Sequence, residues 1–537
     1  YAITAKTAKN FINLSANKRG MPKEKTKKDS VTTLVESAGI VFLGVIVGKL
    51  LNYGYRAITA RGLGIAEYGT LNIGLSIFGF LGFIALFGLN QGAERYVPYY
   101  IKNKQKVNAV ISTVLRLALP ISLTVSIVMI LSARTLAEVV FHNEQLTMVF
   151  VLLGIATIAQ VFTEIGTSLM RALGIIKYQV YIKNIIEPIT KIAITGMLFI
   201  AGIKLMGATI AILASLIISM VLSYRVLSKK GIKLEEVLKS KDKKIFLEVL
   251  RFSWPLLITA VVFNVMKWTD TIMLGIWKSE IDVGIYNAAA PTAEILTIFM
   301  VCFSSLFIPT MSRLLAMREE ETMRSVYRTV TRWVFFLTLP IYGILWIFPK
   351  EIISLLFGGE YIAAVIPLMI LSTGSFILAI TSMSTDILNV LNKTKVKMIV
   401  RTGGAILNVL LNLILIPKWG IIGAAIGTAI SLGVYNLVGL YLTYRYLKVQ
   451  PFSWRYIKPL AAVGITGALT YMVRSNATVN GTVELFILAP IFLIMYGVIV
   501  LALRFFTKDD VDALKTIEIK MGLQRQVLSK FVEKFVR

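Results

Sequence analysis

The sequence has little of the chemistry that most enzymes use. Its 537 residues include one cysteine, Cys302, and one histidine, His142. No disulfide can form within the chain, and His/Cys metal clusters and a Ser-His-Asp triad are disfavoured. Charged residues are scarce as well, at 16%, whereas an ordinary soluble domain is about a quarter charged. This composition excludes a cytosolic globular enzyme.

Apolar residues and positive charge are abundant instead. Hydrophobic residues make up 56% of the chain, which excludes a disordered protein. Its 57 Lys+Arg against 29 Asp+Glu give a net charge of +28. A nucleic-acid-binding protein can be this basic but is not also this apolar, so no nucleic-acid partner is expected. The combination predicts a membrane protein with its positive charge in the loops.

Apolar runs long enough to cross a bilayer recur along the chain. A hydrocarbon core about 30 Å thick needs about 20 apolar residues in a helix. Fourteen runs fit this length: roughly 33–58, 70–90, 109–131, 147–170, 181–203, 206–227, 252–276, 284–309, 332–349, 362–390, 402–417, 421–444, 459–473 and 484–503. The predicted fold class is an all-α polytopic membrane protein with about 14 transmembrane helices.

The Lys and Arg residues alternate between loops. With the N-terminus in the cytoplasm, 45 of the 57 Lys+Arg fall in the two tails and the even-numbered loops or at the span edges that adjoin them. This is the positive-inside pattern. It predicts a multi-pass protein of the cell membrane with both termini in the cytoplasm, and it places much of the charge against anionic membrane lipids.

The two halves of the chain resemble each other at an offset of 215 residues. The segment Glu67–Asn72 (EYGTLN) matches Asp282–Asn287 (DVGIYN), and Lys49 falls opposite Asn264. Each repeat covers six predicted helices, so both enter the membrane the same way up and are related by a pseudo-two-fold axis along the membrane normal. The prediction is a 6+6+2 plan, with two parallel-repeat lobes around a central cavity. Such lobes favour a transporter.

The repeat and the charge runs divide the chain into six predicted parts. They are a basic cytoplasmic N-tail (1–30), an N-lobe (31–227), a basic cytoplasmic linker (228–251), a C-lobe (252–446), helices 13 and 14 (447–503) and a cytoplasmic amphipathic tail (504–537).

Polar residues inside the predicted spans indicate a cavity between the lobes. A charged side chain at the centre of a transmembrane helix costs about 2.5–3.5 kcal/mol, so it persists where it faces a cavity or a partner. One face of the first span carries four polar residues at i, i+3, i+4 and i+7, and equivalent positions in the second repeat carry others. The predicted cavity residues are Lys49, Asn52, Tyr53, Arg56, Asn72, Asn264, Lys267, Trp268 and Asn287.

Some of these charges have a structural interpretation. Arg56 lies near a helix end and can extend to the membrane surface, and Lys267 can pair with Asp270 at i+3. Glu187 and Lys191, at i and i+4 in the fifth span, are interpreted as a structural ion pair.

Three carboxylates within the spans are candidates for ion coupling. A carboxylate removed from water favours the uptake of a proton or a cation. Asp270 is the first candidate because it lies beside the polar stripe, with Glu294 and Asp386 in reserve. The alternative for each is a hydrogen bond to a neighbouring helix.

Two short motifs resemble nucleotide sites without matching them. Gly44–Lys49 (GVIVGK) has one residue too few between its glycines for a P-loop and no Ser or Thr after the lysine. Asp510-Val-Asp512 has a DxD form but follows Thr507 at the start of a tail helix, where acidic residues favour the helix dipole. No cofactor or metal site is predicted, and the only ion expected is a coupling H⁺ or Na⁺.

The order and spacing of several motifs resemble a known family. Arg61–Gly69, Glu94–Pro98, Thr269–Gly275 and Gly284–Ala288, on a fourteen-helix plan, are similar to the polysaccharide-export flippase branch of the multidrug/oligosaccharidyl-lipid/polysaccharide exporter superfamily. The similarity covers nearly the whole chain after residue 30. It implies a transporter, not an enzyme, that moves polyprenyl-(pyro)phosphate-linked oligosaccharide from the inner to the outer leaflet by alternating access, for cell-surface glycan assembly.

The resemblance also implies residue roles and partners. The residues that carry over are Lys49, Arg56 and Lys267 for a cationic cavity and Asp270 for a functional carboxylate. A complete sodium site does not carry over, since helix 11 offers Asn408 and Asn412 but no carboxylate. The implied partners are the lipid-linked glycan, membrane lipids and glycan-assembly proteins, and a monomer is expected.

Three other functions remain open. A peptidoglycan-precursor (lipid II) flippase shares the fourteen-helix plan. A cation or drug exporter of the same superfamily normally has twelve helices and needs an acidic cavity. A membrane glycan polymerase or ligase should carry catalytic Arg, His or Glu in a large outer loop, whereas the predicted outer loops here are short.

Overall fold

The computed structural model describes residues 23–476, 481–507, 510–511, 515, 530 and 532–534, with side chains from residue 43 onward except at a few positions (258–260, 263, 476 and 482). The first 22 residues of the predicted N-tail and most of the predicted amphipathic tail lie outside the described residues. Apart from short connections the described chain is helical, and no strand occurs in it.

The helices follow one another with short connections. Their bounds are α1 Lys23–Leu86, α2 Leu89–Tyr99, α3 Lys104–Thr135, α4 Leu146–Ala172, α5 Ile176–Val180, α6 Glu187–Ile200, α7 Leu205–Lys229, α8 Leu234–Lys239, α9 Lys243–Trp277, α10 Glu280–Ala293, α11 Ile298–Met317, α12 Glu320–Ile347, α13 Pro349–Leu356, α14 Val365–Val390, α15 Thr394–Leu447, α16 Ile457–Asn476 and α17 Gly481–Ala502. Single π-helical turns cover Leu136–Val140 and Tyr181–Ile186, and 3₁₀ turns cover Glu294–Thr297, Gly359–Ala364 and Trp454–Tyr456.

Ten helical stretches in the described part are long and apolar enough to cross a membrane. The prediction of an all-α polytopic membrane protein is therefore confirmed, while the count of fourteen and the 6+6+2 plan stay predictions. Two helices bend at a glycine with positive φ, α1 at Gly64 (75°) and α15 at Gly420 (54°). Other residues rarely adopt this left-handed conformation. Each bend falls between two of the predicted spans.

Helix α9 packs against both halves of the chain. Near its start, Tyr100 Oη donates to Glu248 Oε2 at 2.8 Å, and a Cβ atom on Gly92 would lie 2.8 Å from Ser253 Oγ. Near its end, Asp270 is hydrogen-bonded to helix α15. The predicted boundary at residue 251 therefore falls inside one continuous helix whose first turns pack on the first half.

The predicted linker contains the short helix α8, which is docked on the first half. Val237 is buried, and Lys104 Nζ lies 3.1 Å from Glu236 Oε2. The hydrogen bond and charge of Lys104 lower the pKa of the Glu236 carboxyl. Ser240 Oγ donates to the carbonyl of Gln105 at 3.2 Å. The linker and the first half thus form one packed unit.

The buried Asp510 anchors the segment that follows α17. Its Oδ1 accepts from Arg332 Nε (3.1 Å), Arg332 Nη2 (2.7 Å) and Trp333 Nε1 (2.7 Å). Its Oδ2 accepts from the backbone N–H of Thr507 at 2.7 Å. These donors occupy the carboxylate with protein contacts, which supports the interpretation of Asp510 as an acidic residue at a helix start over a metal-nucleotide site.

Candidate functional site

A cavity of about 510 Å³ lies between the two halves, mostly within the first. Its polar and charged lining residues are Lys49, Asn52, Tyr53, Tyr55, Arg56, Thr59, Tyr68, Asn72, Gln160, Lys183, Asn184, Glu187, Lys191, Ser215 and Glu294. Four of these are cations and two are carboxylates, so the lining has an excess of two positive charges. In a site with little water, such an excess attracts an anion.

Helix α1 supplies the polar face predicted from its periodicity. Lys49, Asn52, Tyr53 and Arg56 all line the cavity, because positions three and four apart lie on one side of a helix. Tyr53 Oη also lies 2.7 Å from Thr292 Oγ1 of α10, so this face reaches the second half. The first-half residues of the predicted site are thereby brought together.

The end of α5 and the π-helical turn Tyr181–Ile186 that follows it cross α1 at two glycines. A Cβ atom on Gly44 would overlap the side chain of Val180, and one on Gly48 would lie 2.7 Å from Asn184 Cβ. Two small residues four apart allow membrane helices to approach this closely. Gly44 and Gly48 thus serve helix packing, which explains the near-match to a P-loop.

The predicted pair of Glu187 and Lys191 is wrong. Lys183 Nζ lies 3.2 Å from Glu187 Oε2 and 2.8 Å from Glu164 Oε1, so one lysine bridges two carboxylates. Spacing alone could not decide this, since Glu187 has a lysine four residues away on either side. The carboxylate of Glu164 on α4 decides it, by holding Lys183 from the other side.

Lys191 instead reaches across to α1. Its Nζ donates to Asn52 Oδ1 at 3.0 Å and lies 4.4 Å from the centre of the Tyr55 ring. This cavity residue was assigned a structural role from sequence. Gln160 and Asn184 also line the cavity, and no periodic pattern in the sequence pointed to them.

The predicted second-half residues Asn264, Lys267, Trp268 and Asn287 are not in the wall of this cavity. Asn264 is buried, and Asn287 is buried with its Nδ2 donating to Thr271 Oγ1 at 3.2 Å. The Trp268 ring packs on Gly79 of α1, where a Cβ atom would lie 2.7 Å from it. The repeat predicted that this face lies opposite the first stripe. Its side chains are instead used in helix packing.

Lys267 lies beside the cavity with its Nζ 4.9 Å from the centre of the Trp268 ring. The charge of Glu294 attracts the Lys267 ammonium, and the charge of Arg56 repels it. The expected ion pair with Asp270 is absent from the described residues, where no Lys267–Asp270 contact falls within 4 Å.

Asp270 lies at the centre of a polar cluster within the second half. Its Oδ2 accepts from Tyr286 Oη and Thr428 Oγ1, each at 2.5 Å. Its Oδ1 accepts from Asn412 Nδ2 at 2.5 Å and Asn408 Nδ2 at 3.4 Å. All five side chains come from α9, α10 and α15. We call this group the Asp270 cluster.

The other two coupling candidates lie in different surroundings. Glu294 lines the cavity where α10 passes into a 3₁₀ turn. Asp386 accepts a hydrogen bond from Ser304 and lies 3.4 Å from Lys397 Nζ, beside a separate cavity of about 130 Å³. Asp386 is thus held in a structural ion pair.

The two halves are joined at the end predicted to face outside. Arg61 donates to the carbonyls of Ser354 (3.3 Å), Leu355 and Leu356 (3.2 Å) at the end of α13. Tyr361 Oη donates to the carbonyl of Ala60 at 2.9 Å. These contacts hold the two halves together at that end.

The fold and this cavity agree with a family that matches the chain. The model of a family described as polysaccharide biosynthesis protein matches residues 34–315, more than half of the 537. The chain belongs to this family. A second model, MatE, matches residues 255–414. The predicted membership of the flippase branch of the exporter superfamily is confirmed.

Similar proteins carry names of the same kind. The chain is 23% identical over 460 residues to the probable low-salt glycan biosynthesis flippase Agl15 of Haloferax volcanii, covering 84% of this chain and 93% of the relative. The fold of this chain resembles that of the lipid II flippase MurJ in an inward closed conformation. The TM-score is 0.70 at 16% identity, covering 87% of this chain and 98% of the other. An inward-facing multidrug-resistance MATE transporter gives a TM-score of 0.66 at 16% identity, covering 76% and 98%.

Proposed function

We propose that this protein flips a polyprenyl-(pyro)phosphate-linked oligosaccharide from the inner to the outer leaflet of the cell membrane by alternating access. The observation that carries the proposal is the surplus of positive charge in the cavity. Within the described residues, neither Lys49 nor Arg56 lies within 4 Å of a carboxylate oxygen. A substrate phosphate would supply the missing negative charge through charge-assisted hydrogen bonds.

The remaining lining suits the other parts of such a substrate. Amide and hydroxyl groups of Asn52, Tyr53 and Gln160 can exchange hydrogen bonds with sugar hydroxyls. The apolar polyprenyl tail can stay in lipid while the head enters between the lobes. The name of the Haloferax volcanii relative, a glycan biosynthesis flippase, supports a glycan as cargo.

The Asp270 cluster supports coupling of the movement to an H⁺ or Na⁺ gradient. It joins a buried carboxylate to two hydroxyls and two amides, and Asn412 Oδ1 is buried without a hydrogen-bond partner among the described residues. Carboxylate, hydroxyl and amide oxygens are the ligands that hard cations prefer. A gradient drives transport only if the ion binds the inward and outward states differently.

Lys49→Ala tests the substrate proposal. Transport of a fluorescent polyprenyl-pyrophosphate oligosaccharide into the far leaflet of proteoliposomes should fall at least about tenfold, since a charge-assisted bond contributes about 1.5–3 kcal/mol. Lys49→Arg should keep most of the rate, because charge and not shape is required. Normal transport by Lys49→Ala would remove this face of α1 from the substrate site.

The same vesicles separate the alternatives. Faster transport of lipid II than of the oligosaccharide substrate would favour a peptidoglycan-precursor flippase. Uptake of a cationic dye without lipid-linked cargo would favour a drug exporter, although two surplus positive charges in the cavity oppose it. Product of increased glycan length would indicate a polymerase.

A further inference from the structure

Lys191 lines the cavity, although its spacing from Glu187 predicted a structural ion pair. It projects from α6, and both groups that hold its ammonium, Asn52 Oδ1 at 3.0 Å and the Tyr55 ring at 4.4 Å, belong to α1. The ammonium therefore lies over the helix that also carries Lys49 and Arg56.

The two groups that hold Lys191 are both neutral. Its expected partner Glu187 is already bound by Lys183, and among the described residues no carboxylate oxygen comes within 4 Å of Lys191 Nζ. At longer range the charge of Glu187 attracts the Lys191 ammonium, and the charges of Arg56 and Lys183 repel it. A cation kept among apolar helices without an anion in contact carries a desolvation cost, and such residues mark substrate pathways.

The position of the Lys191 ammonium along α1 places it in a series with the two cations of that helix, Lys49 and Arg56. Lys49 and Arg56 are seven residues apart, or about 10 Å along the helix axis at 1.5 Å per residue. Asn52 lies between them, so the ammonium bound to it lies between the levels of Lys49 and Arg56. The three cations form a ladder that follows α1 from the predicted inner side toward the outer side.

We propose that Lys191 is a third phosphate-binding residue, which holds the substrate headgroup as it passes between Lys49 and Arg56. Asn52 and Tyr55 position the ammonium when no headgroup is bound. With Lys191 between them, a phosphate that moves from Lys49 to Arg56 travels a shorter distance without a cation beside it. This inference rests on the proposed function, and it adds a contact from the fifth predicted span to a site otherwise built on the first.

The crossing of α1 and the π-helical turn explains how Lys191 reaches this place. Gly48 brings α1 against Asn184, which lies shortly before α6 begins at Glu187. The extra residue in a π-turn shifts the register of the helix that follows, and such turns recur at functional sites. The local irregularity thus places Lys191 on the α1 side, while Lys183 stays with the two carboxylates.

Binding of two short probes tests the inference. Farnesyl pyrophosphate carries the charged headgroup and farnesol does not, so the ratio of their dissociation constants reports headgroup recognition apart from the tail. In purified full-length protein, Lys191→Met should weaken farnesyl pyrophosphate binding at least about tenfold and leave farnesol unchanged. Lys191→Arg should restore most of the ratio. Lys278→Met, a lysine outside the cavity, is the matched control and should change neither.

The possible results are distinct. If Lys191→Met keeps the wild-type ratio, or weakens both probes equally with a lower melting temperature, Lys191 is not a phosphate ligand. If Lys191→Met does not fold, the ratio is read from Lys191→Gln, and a wild-type ratio there overturns the inference. If the wild-type protein itself does not prefer farnesyl pyrophosphate to farnesol, the proposed function fails together with it. Loss of preference in Lys49→Ala but not in Lys191→Met would retain the function and reject this role.

Discussion

Gly69 and Gly284 occupy equivalent positions in the two repeats, and each meets the backbone of the other half. A Cβ atom on Gly69 would overlap the carbonyl oxygen of Glu280, and one on Gly284 would overlap the carbonyl oxygen of Ile65. Ile65 and Glu280 are themselves related by the 215-residue offset. The contact is therefore reciprocal, as a two-fold relation between helices requires.

This contact predicts the effect of adding a methyl group. Gly69→Ala or Gly284→Ala should destabilise the joined arrangement by about 1–3 kcal/mol, because backbone atoms must move apart. The measurement is thermal unfolding of the purified protein. Gly196→Ala in α6, where the added Cβ meets nothing within 4 Å, is the control and should not lower the melting temperature. Equal stability of all three variants would contradict the reciprocal contact.

Lys183 is predicted to be a stability residue. Lys183→Met leaves Glu164 and Glu187 without their shared cation, and breaking a buried pair costs about 3–5 kcal/mol. All three side chains are about a quarter exposed or less, so the loss should lie at the lower end. A drop in melting temperature that the further change of both carboxylates to glutamine largely reverses would support this assignment. No drop would show that the bridge contributes little.

Asp270→Asn should abolish the response to the coupling ion. The neutral amide keeps the size of the side chain but lacks the charge that an ion must balance. In the wild-type protein, either Na⁺ or a lower pH should raise the melting temperature through binding to the folded state, and Asp270→Asn should lose that response. Asp386→Asn, outside the Asp270 cluster, should retain it.

Transport measurements complete this test. Wild-type transport that ignores both proton and sodium gradients would replace coupled movement with facilitated flipping. Full gradient-driven transport by Asp270→Asn would instead assign the coupling site to another carboxylate, with Glu294 next.

The predicted orientation can be checked by labelling single cysteines. In a Cys302→Ser background, an impermeant thiol reagent added to intact cells should label Lys278→Cys but not Lys241→Cys in the linker. Permeabilised cells should show labelling at both positions. Labelling of Lys241→Cys from outside would reverse the topology inferred from the Lys and Arg residues.

Much of the fold could be predicted because it depends on local composition. Apolar run length and the alternation of Lys and Arg are independent of how helices pack, and they gave a polytopic helical protein with turns near Gly64 and Gly420. The shared helix α9 could not be predicted, since its first turns bind Tyr100 and its last turns bind α15. Only tertiary packing reveals that one helix belongs to both halves.

The candidate site divides in the same way. The cavity face of α1 follows from helical periodicity, which needs no partner. The contacts of Lys183 and Asp270 depend on Glu164 and Thr428, each distant in sequence, and spacing carries no information about them. The second stripe does not line this cavity, because Trp268 packs on α1 at Gly79.

The guanidinium of Arg61 caps the C-terminal end of α13, a helix that belongs to the other half of the molecule. The carbonyls of Ser354, Leu355 and Leu356 lie in the last turn of α13, and of the three only that of Ser354 also accepts from a backbone N–H, that of Gly358 at 3.0 Å. Separation of the halves at this end therefore leaves two acceptors, the carbonyls of Leu355 and Leu356, to be hydrated or the last turn of α13 to fray. Opening the predicted outer side is in this way coupled to the local folding of a surface helix, so that hydrogen exchange in α13 would report which way the cavity faces.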